Sequence, residues 1–261
     1  MTSVLTAVDA GIATITLNRT AIHNAFDEVL INQLIDSLRE VEAQADVRAV
    51  VLTGAGKSFS AGADLAWMKR MAKASEKDNR RDARQLAKLM RTLDQLAKPT
   101  IARVNGAAYG GGVGLIACCD IAIGASEARF ALTETRLGLV PAVISPYVID
   151  AIGPRHARRL FLTAELFDAD FAERIGLLHR NVPLLELDAA VKETVDRLRD
   201  NGPKAMLAAK RLVARIAHPH PKERREQEEE NADLIAGLRV SAEGQEGLAA
   251  FFDKRRPKWA K

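Results

Sequence analysis

Apolar and polar positions alternate with period two from Val4 to Arg19, broken at Asp9 to Gly11, so the chain is predicted to open on an antiparallel hairpin. The period then changes. Phe26, Leu30, Leu34, Leu38 and Val41 recur every three or four residues, which predicts an amphipathic helix with Asn24 as its N-cap. Val47 to Thr53 is a β-branched run typical of a buried strand, and it ends in the glycine-rich loop GAGKSFSAGADL, after which Asp64 can cap a helix. Charge dominates Lys69 to Arg84, predicted as a polar, mobile bridge before a helix whose apolar face is Leu86, Leu89, Met90, Leu93 and Leu96.

A second unit repeats this layout. Strand Thr100 to Val104 runs into the triplet Gly110, Gly111 and Gly112, then an apolar helix over Val113 to Cys119 and the strand-like DIAIGA and RFAL. From Ser145 onward strand signals nearly vanish apart from LLHRNVP. SPYVIDAIG, PRHARRLFLT and DADFAERIG read as short helices, followed by longer ones at 187–199, 203–216, 222–238 and 243–254. Repeated strand–loop–helix units predict an α/β fold, with a core over 1–200 and a helical region over 201–261.

Composition narrows the classes. The chain has 261 residues, 48% hydrophobic and 28% charged, enough for a full core without disulfides, and no apolar run reaches membrane-spanning length. The opening MTSVLTAVDAG has no basic segment followed by an apolar stretch, so a cytoplasmic location is expected. Cys118 and Cys119 are adjacent and suit buried thiols rather than a disulfide. A net charge of +4 is compatible with an anionic small molecule, but dispersed charge and 5% aromatic residues disfavour a nucleic-acid platform. KERREQEEE reads as a solvated helix face. Gly112, Gly114 and Ala117 satisfy GxGxxA, yet the glycines stand too far past their strand for a dinucleotide fingerprint.

The candidate chemistry lies between Asn105 and Leu139. Glycines after a strand let backbone N–H groups approach a ligand, and the following helix N-terminus favours an oxyanion. Glu134 stands downstream in apolar surroundings, and Tyr109 beside the glycines reads as packing.

FSAGADL, NGAAYGGG and FALTETRLGLVP, in this order with HNAF before them and EGLAAFFDKRRPKW at the end, resemble the crotonase family of enoyl-CoA hydratases and isomerases over almost the whole chain. The resemblance implies a spiral of repeated β-β-α units with a C-terminal helical trimerisation region, assembled as a trimer or a hexamer of two trimers. It implies an acyl-CoA thioester substrate, coenzyme A being part of that substrate and no other cofactor or metal being needed. It implies an enolate held by the N–H groups of Ala63 and Gly111, donors worth about 3 kcal/mol each in other enzymes. Glu134 matches the second catalytic glutamate and is the implied general acid/base. Ala21, Ile22, His23, Ser60, Ala61, Asp64 and Leu65 are the implied coenzyme A contacts, with Lys254 reaching in from a neighbouring subunit.

One departure bears on the reaction. Two-carboxylate hydratases carry their first glutamate two residues after the glycine triplet, where this chain has Gly114. A hydratase working through Glu134, an isomerase shuttling one proton, and a non-catalytic coenzyme A- or RNA-binding member are the alternatives. GLIACCDIAI, RLGLVPAVISPYVIDAIG and SAEGQEGLAAF resemble a bacterial subgroup that hydrates 3-methylglutaconyl-CoA in leucine degradation, which favours the hydratase. Arg136, or a cation between Lys69 and Lys73, is then expected to hold the distal carboxylate. The RNA reading loses support because 26–41 contains no lysine.

Overall fold

The hairpin forms as predicted: β1 (Val4–Asp9) pairs antiparallel with β2 (Ile12–Leu17). The computed structural model describes residues 2–218 and 220–260. α1 (Glu28–Ala43) follows, and β3 (Ala49–Gly54) joins the sheet parallel to β2. Next come β4 (Ser58–Ser60), α2 (Leu65–Ala72), α3 (Glu76–Asp94), β5 (Thr100–Val104), β6 (Ala107–Tyr109), α4 (Gly111–Cys118), β7 (Ile121–Ala125) and β8 (Arg129–Ala131). The remainder is α5 (Ser145–Thr163), β9 (Phe167–Asp168), α6 (Ala169–Arg174), β10 (Arg180–Val182), α7 (Leu187–Arg199), α8 (Pro203–Ala217), α9 (Pro221–Val240) and α10 (Ala242–Phe252). Among the described residues no helix is long and apolar enough to cross a membrane.

Two sheets result. The larger has the order β1-β2-β3-β5-β7-β10, parallel except for the hairpin, and the smaller has the order β4-β6-β8-β9. β3 is buried at every position because both faces of the large sheet are covered. Val50 and Leu52 point into the main core with Leu30, Leu34 and Leu38 of α1, whereas Val51 joins Ile101, Ile123, Val191 and Val195 under α7. Each of β3, β5 and β7 is followed by a short strand of the smaller sheet. This is the repeated β-β-α unit.

Several expectations change. Lys69 to Arg84 is ordered as α2 and α3, because Ser75 caps α3 and Asn79 and Ala83 are buried along it while most of the charges, Asp82 excepted, face outward. The N-cap of α1 is Asp27, whose carboxylate accepts from Leu30 N at 2.8 Å. Asn24 instead sits in a left-handed turn (φ 57°), fully buried, bonding Arg19 N, Ala55 O and Ser58 O, each at 2.9 Å. By contrast, SPYVIDAIG and PRHARRLFLT are the two helical segments expected, run together as α5 but broken where Gly153 takes the non-helical φ 73°, ψ 157° before Pro154. KERREQEEE is not merely solvated. In α9 the Arg224 guanidinium lies over Tyr147, and the Glu228 side chain, nearly buried, pairs with Arg91.

Asn24 satisfies both sides of the corner between β2 and β4. Its replacement by Ala is expected to lower the unfolding free energy by about 2 kcal/mol or more, because buried backbone groups lose their partners. Urea denaturation measures this, and a loss below about 0.5 kcal/mol would contradict it.

Candidate active site

β4, β6 and β8 lie side by side and parallel, so their C-terminal ends open on one edge of the smaller sheet. Ala61, Gly62 and Ala63 follow β4, Gly110 and Gly111 follow β6, and Thr133 and Glu134 follow β8. All of these line one cavity of about 420 Å³. Its other walls are mostly apolar: Trp67, Met68 and Met71 of α2, Ala83 and Leu86 of α3, the segment 139–144, Ile235 of α9, and Leu248 and Phe251 of α10.

Two backbone N–H groups are left over at this edge. Phe26 and Ala63 form a parallel bridge whose bonds run from Phe26 N to Gly62 O (2.6 Å) and from Asp64 N to Phe26 O (2.7 Å). The N–H of Ala63 faces away from that bridge and has no acceptor among the described residues. Gly111 is the first residue of α4, so its N–H has no helical partner, and the helix dipole adds positive potential there. Glycine is required where the two loops meet. Gly62 adopts φ 81°, and a Cβ on it would stand 2.8 Å from Tyr109 O. Gly110 adopts φ 48°, and a Cβ there would stand 3.0 Å from Glu134 Oε1.

Glu134 opens a 3-10 turn, Glu134–Leu137. Its residue is half-buried, but Oε2 is sealed from solvent with no hydrogen-bond partner. Burial disfavours the charged form and pushes the carboxyl up to about 7, its own backbone N–H opposing this only in part. An acid of that strength, beside two unpaired amides, can move a proton near neutrality while the amides hold an oxyanion.

The residues expected at the site divide. Ala61, Ala63, Leu65, Gly111, Glu134 and Arg136 line the cavity. Tyr109, expected to pack, belongs to its wall as well. Ala21, Ile22 and His23 lie outside the lining on a surface turn, although His23 O accepts from Ala61 N at 2.8 Å. Ser60 and Asp64 have other duties. The Ser60 hydroxyl donates to Asn24 O (2.9 Å) and accepts from Gly62 N, and Asp64 caps α2 through Trp67 N (2.9 Å) while pairing with Arg19 (3.2 Å). Lys69 and Lys73 do not line the cavity, and Arg70 pairs with Glu28 instead. Lys254 is exposed beyond α10, outside the lining, while Leu248 and Phe251 of α10 close over the cavity of their own chain. Arg239, at the end of α9, lines the cavity and was not singled out in the sequence, since nothing local in AGLRV marks it.

Gly114 does not reach the cavity. A Cβ on it would overlap Ile144 Cγ2 and stand 2.9 Å from Ile144 Cβ and 3.3 Å from Met90 Cε. Ile144 takes that space and presents its own side chain to the cavity. A glutamate at position 114, where two-carboxylate hydratases carry their first, therefore has no room here. Gly114→Glu is expected to lower stability by about 3 kcal/mol or more through overpacking and an unpaired buried carboxylate, with partial recovery when Ile144→Ala is added. Urea denaturation of the single and double variants reads both effects.

Comparisons with known proteins identify the family. The family model described as enoyl-CoA hydratase/isomerase matches residues 7–261. A solved enoyl-CoA hydratase from Shewanella pealeana is 44% identical, with a TM-score of 0.81 over 98% of this chain and 96% of its own. The short-chain-enoyl-CoA hydratase of Clostridium acetobutylicum is 36% identical over 82% of each chain. The 2,3-dehydroadipyl-CoA hydratase of Escherichia coli is 31% identical over 93% of this chain and 92% of its own. The sequence motifs, the β-β-α units and these matches agree, and the chain belongs to the enoyl-CoA hydratase/isomerase family, the crotonases.

Proposed function

We propose that this enzyme hydrates an enoyl-CoA thioester with Glu134 as its only carboxylate at the reacting carbons. The observation that carries the reading is the Glu134 carboxyl, its Oε2 sealed from solvent without a partner, in the same cavity as the unpaired N–H groups of Ala63 and Gly111. Glu134, ionised, takes a proton from water as the water oxygen bonds to the β-carbon. The electron pair of the carbon–carbon double bond moves toward the thioester, whose oxygen becomes an enolate held by the two amides. Glu134 then returns the proton to the α-carbon. Water is thus added with no net change in the acid.

The reading extends to the acyl group. The finer assignment is 3-methylglutaconyl-CoA, an intermediate of leucine degradation. It is supported by the motifs that resemble that subgroup and by an E. coli relative whose name specifies another diacid thioester. Arg136, the cation expected to hold the distal carboxylate, is exposed at the cavity wall and donates to Ala164 O at 2.7 Å, so part of its guanidinium is occupied.

Assembly follows the family pattern in this reading. α8 buries none of its residues, and Leu212, Val213 and Ile216 are 45%, 68% and 70% exposed, which supports a homotrimer or a pair of trimers built through this region. Light scattering after size exclusion is expected to give three or six chains per particle; a monomer at micromolar concentration would contradict it.

Activity is read with crotonyl-, 3-hexenoyl- and 3-methylglutaconyl-CoA. Hydration of the branched diacid ester is expected, and Glu134→Gln should lower kcat by about 10³-fold or more. Because the working form is the carboxylate, kcat/KM should fall about tenfold per pH unit below about 7 and level off above it. Double-bond migration without water uptake, or full activity in Glu134→Gln, would overturn the reading.

A further inference from the structure

Arg239 is the one basic side chain of α9 that lines the cavity. Its Nη1 donates to Asp82 Oδ2 (3.0 Å) and to Asn79 Oδ1 (3.3 Å), and its guanidinium lies 5.7 Å from the centre of the Trp67 ring. Asn79 is itself fixed, its amide donating to the carbonyls of Met71, Ala74 and Ser75. The arginine is therefore held rigidly between α2 and α3.

Its other edge is unused. Nε and Nη2 donate to no acceptor among the described residues, yet neither is sealed inside the protein. The same cavity is lined by Met68, Met71, Ala83, Leu86 and Ile235, whose side chains offer no acceptor stronger than a thioether sulfur. A pair needed only to tie α9 to α3 could face solvent, as Arg80 and Asp233 do with exposures of 38% and 49%. The Arg239–Asp82 pair is largely buried instead, at 14% and 11%. Burial also pushes the Asp82 carboxyl above the usual carboxylate value against the pull of Arg239, so the pair is poorly solvated. A planar fork with two free N–H groups in a mostly apolar wall suits an oxyanion such as a carboxylate, which it can bind with two parallel hydrogen bonds.

We propose that Arg239 determines specificity at the far end of the acyl group and selects chains that end in a carboxylate, so that the substrates are CoA monothioesters of unsaturated dicarboxylic acids. This rests on the cavity holding the acyl chain of a thioester, and it assigns to Arg239 the role expected of Arg136 or of a cation between Lys69 and Lys73. Asp82 and Asn79 position the fork, and Trp67 supports its face.

The test uses matched substrates that differ by the terminal carboxylate: glutaconyl-CoA against crotonyl-CoA, and 2,3-dehydroadipyl-CoA against 2-pentenoyl-CoA. Native protein should favour the diacid member of at least one pair by about 10²-fold in kcat/KM, the scale of a charge-assisted hydrogen-bond pair. Arg239→Met should collapse that ratio mainly through KM. Arg239→Lys, which keeps the charge but not the fork, should retain a part of it, and Asp82→Asn should keep the preference for the diacid. Thermal unfolding of each variant separates loss of fold from loss of selectivity, and the lysine variant reports on selectivity if the methionine variant does not fold. Equal rates on both members of each pair in the native protein, or a ratio unchanged in a folded Arg239 variant, would overturn the proposal. Failure of the hydratase reading itself looks different, because Glu134→Gln would then remain active on every substrate.

Discussion

The parallel pairing of β4, β6 and β8 is the constraint on which the site depends. Ser60 stands opposite Ala108, Ala108 opposite Phe130 and Tyr109 opposite Ala131, and the functional groups begin within a few residues of these pairs. A slip of one residue would turn alternate side chains to the other face and carry the Glu134 carboxyl away from Gly110. Strands of three residues cannot hold a register by themselves. The corners that feed them do so: Asn105 accepts from Gly54 N (3.2 Å) and donates to Gly56 O (2.9 Å), fastening the β5–β6 corner to the β3–β4 corner. Gly106 fits against Lys57 O only because it lacks a Cβ.

The polar groups around this edge divide into those that build it and those left free. Asn24, Ser60, Asp64 and Arg19 spend their side chains on backbone or on one another, which places the Gly62–Ala63 loop against the Phe26 bridge. The polar groups left without partners at this edge are few: two backbone amides, and a carboxyl whose Oε2 is sealed from solvent while the residue lines the cavity. Backbone donors need no side-chain reorganisation when charge develops on a ligand, so their rigidity is what makes them effective. Selectivity must come from the walls, and these are supplied by α2, α3, α9 and α10, elements distant in sequence from the catalytic edge.

That division explains what could be read from the chain alone. The β-branched run of β3, the hairpin and the ends of α7 follow from periodicity, because each element is long enough to repeat its pattern. Glu134 and both glycine loops were legible from motifs. The short strands of the second sheet were not, since three residues carry no period. The start of α2 was legible, since Asp64 caps it as expected, but its continuation past Lys69 and the start of α3 were hidden by charge: outward side chains such as Lys69, Lys77 and Arg81 outnumber the few inward residues, Trp67, Asn79 and Ala83 among them. Asn24 and Asp27 are equally good caps in sequence, and only the left-handed turn at His23 and Asn24 decides between them. Arg239 and Ile144 act through contacts made across the fold, and nothing local to either announces them.

Ile144 bears most directly on how one carboxyl can suffice. Gly110 and Gly114 lie one helical turn apart, at the cap and in the first turns of α4; Glu134 covers the former and Ile144 the latter. An ordered water needs two or more polar partners, and the segment 139–144 offers only apolar side chains to the cavity. Water beside that segment therefore finds no side-chain partner there, and the polar side chains of the lining, Tyr109, Thr133, Glu134, Arg136 and Arg239 among them, stand elsewhere on the cavity wall. Burial in this mostly apolar cavity keeps the Glu134 carboxyl poorly solvated, the condition that raises its proton affinity. The residue that fills the space above Gly114 thus leaves no room for a larger side chain at that position and adds an apolar side chain to the cavity lining.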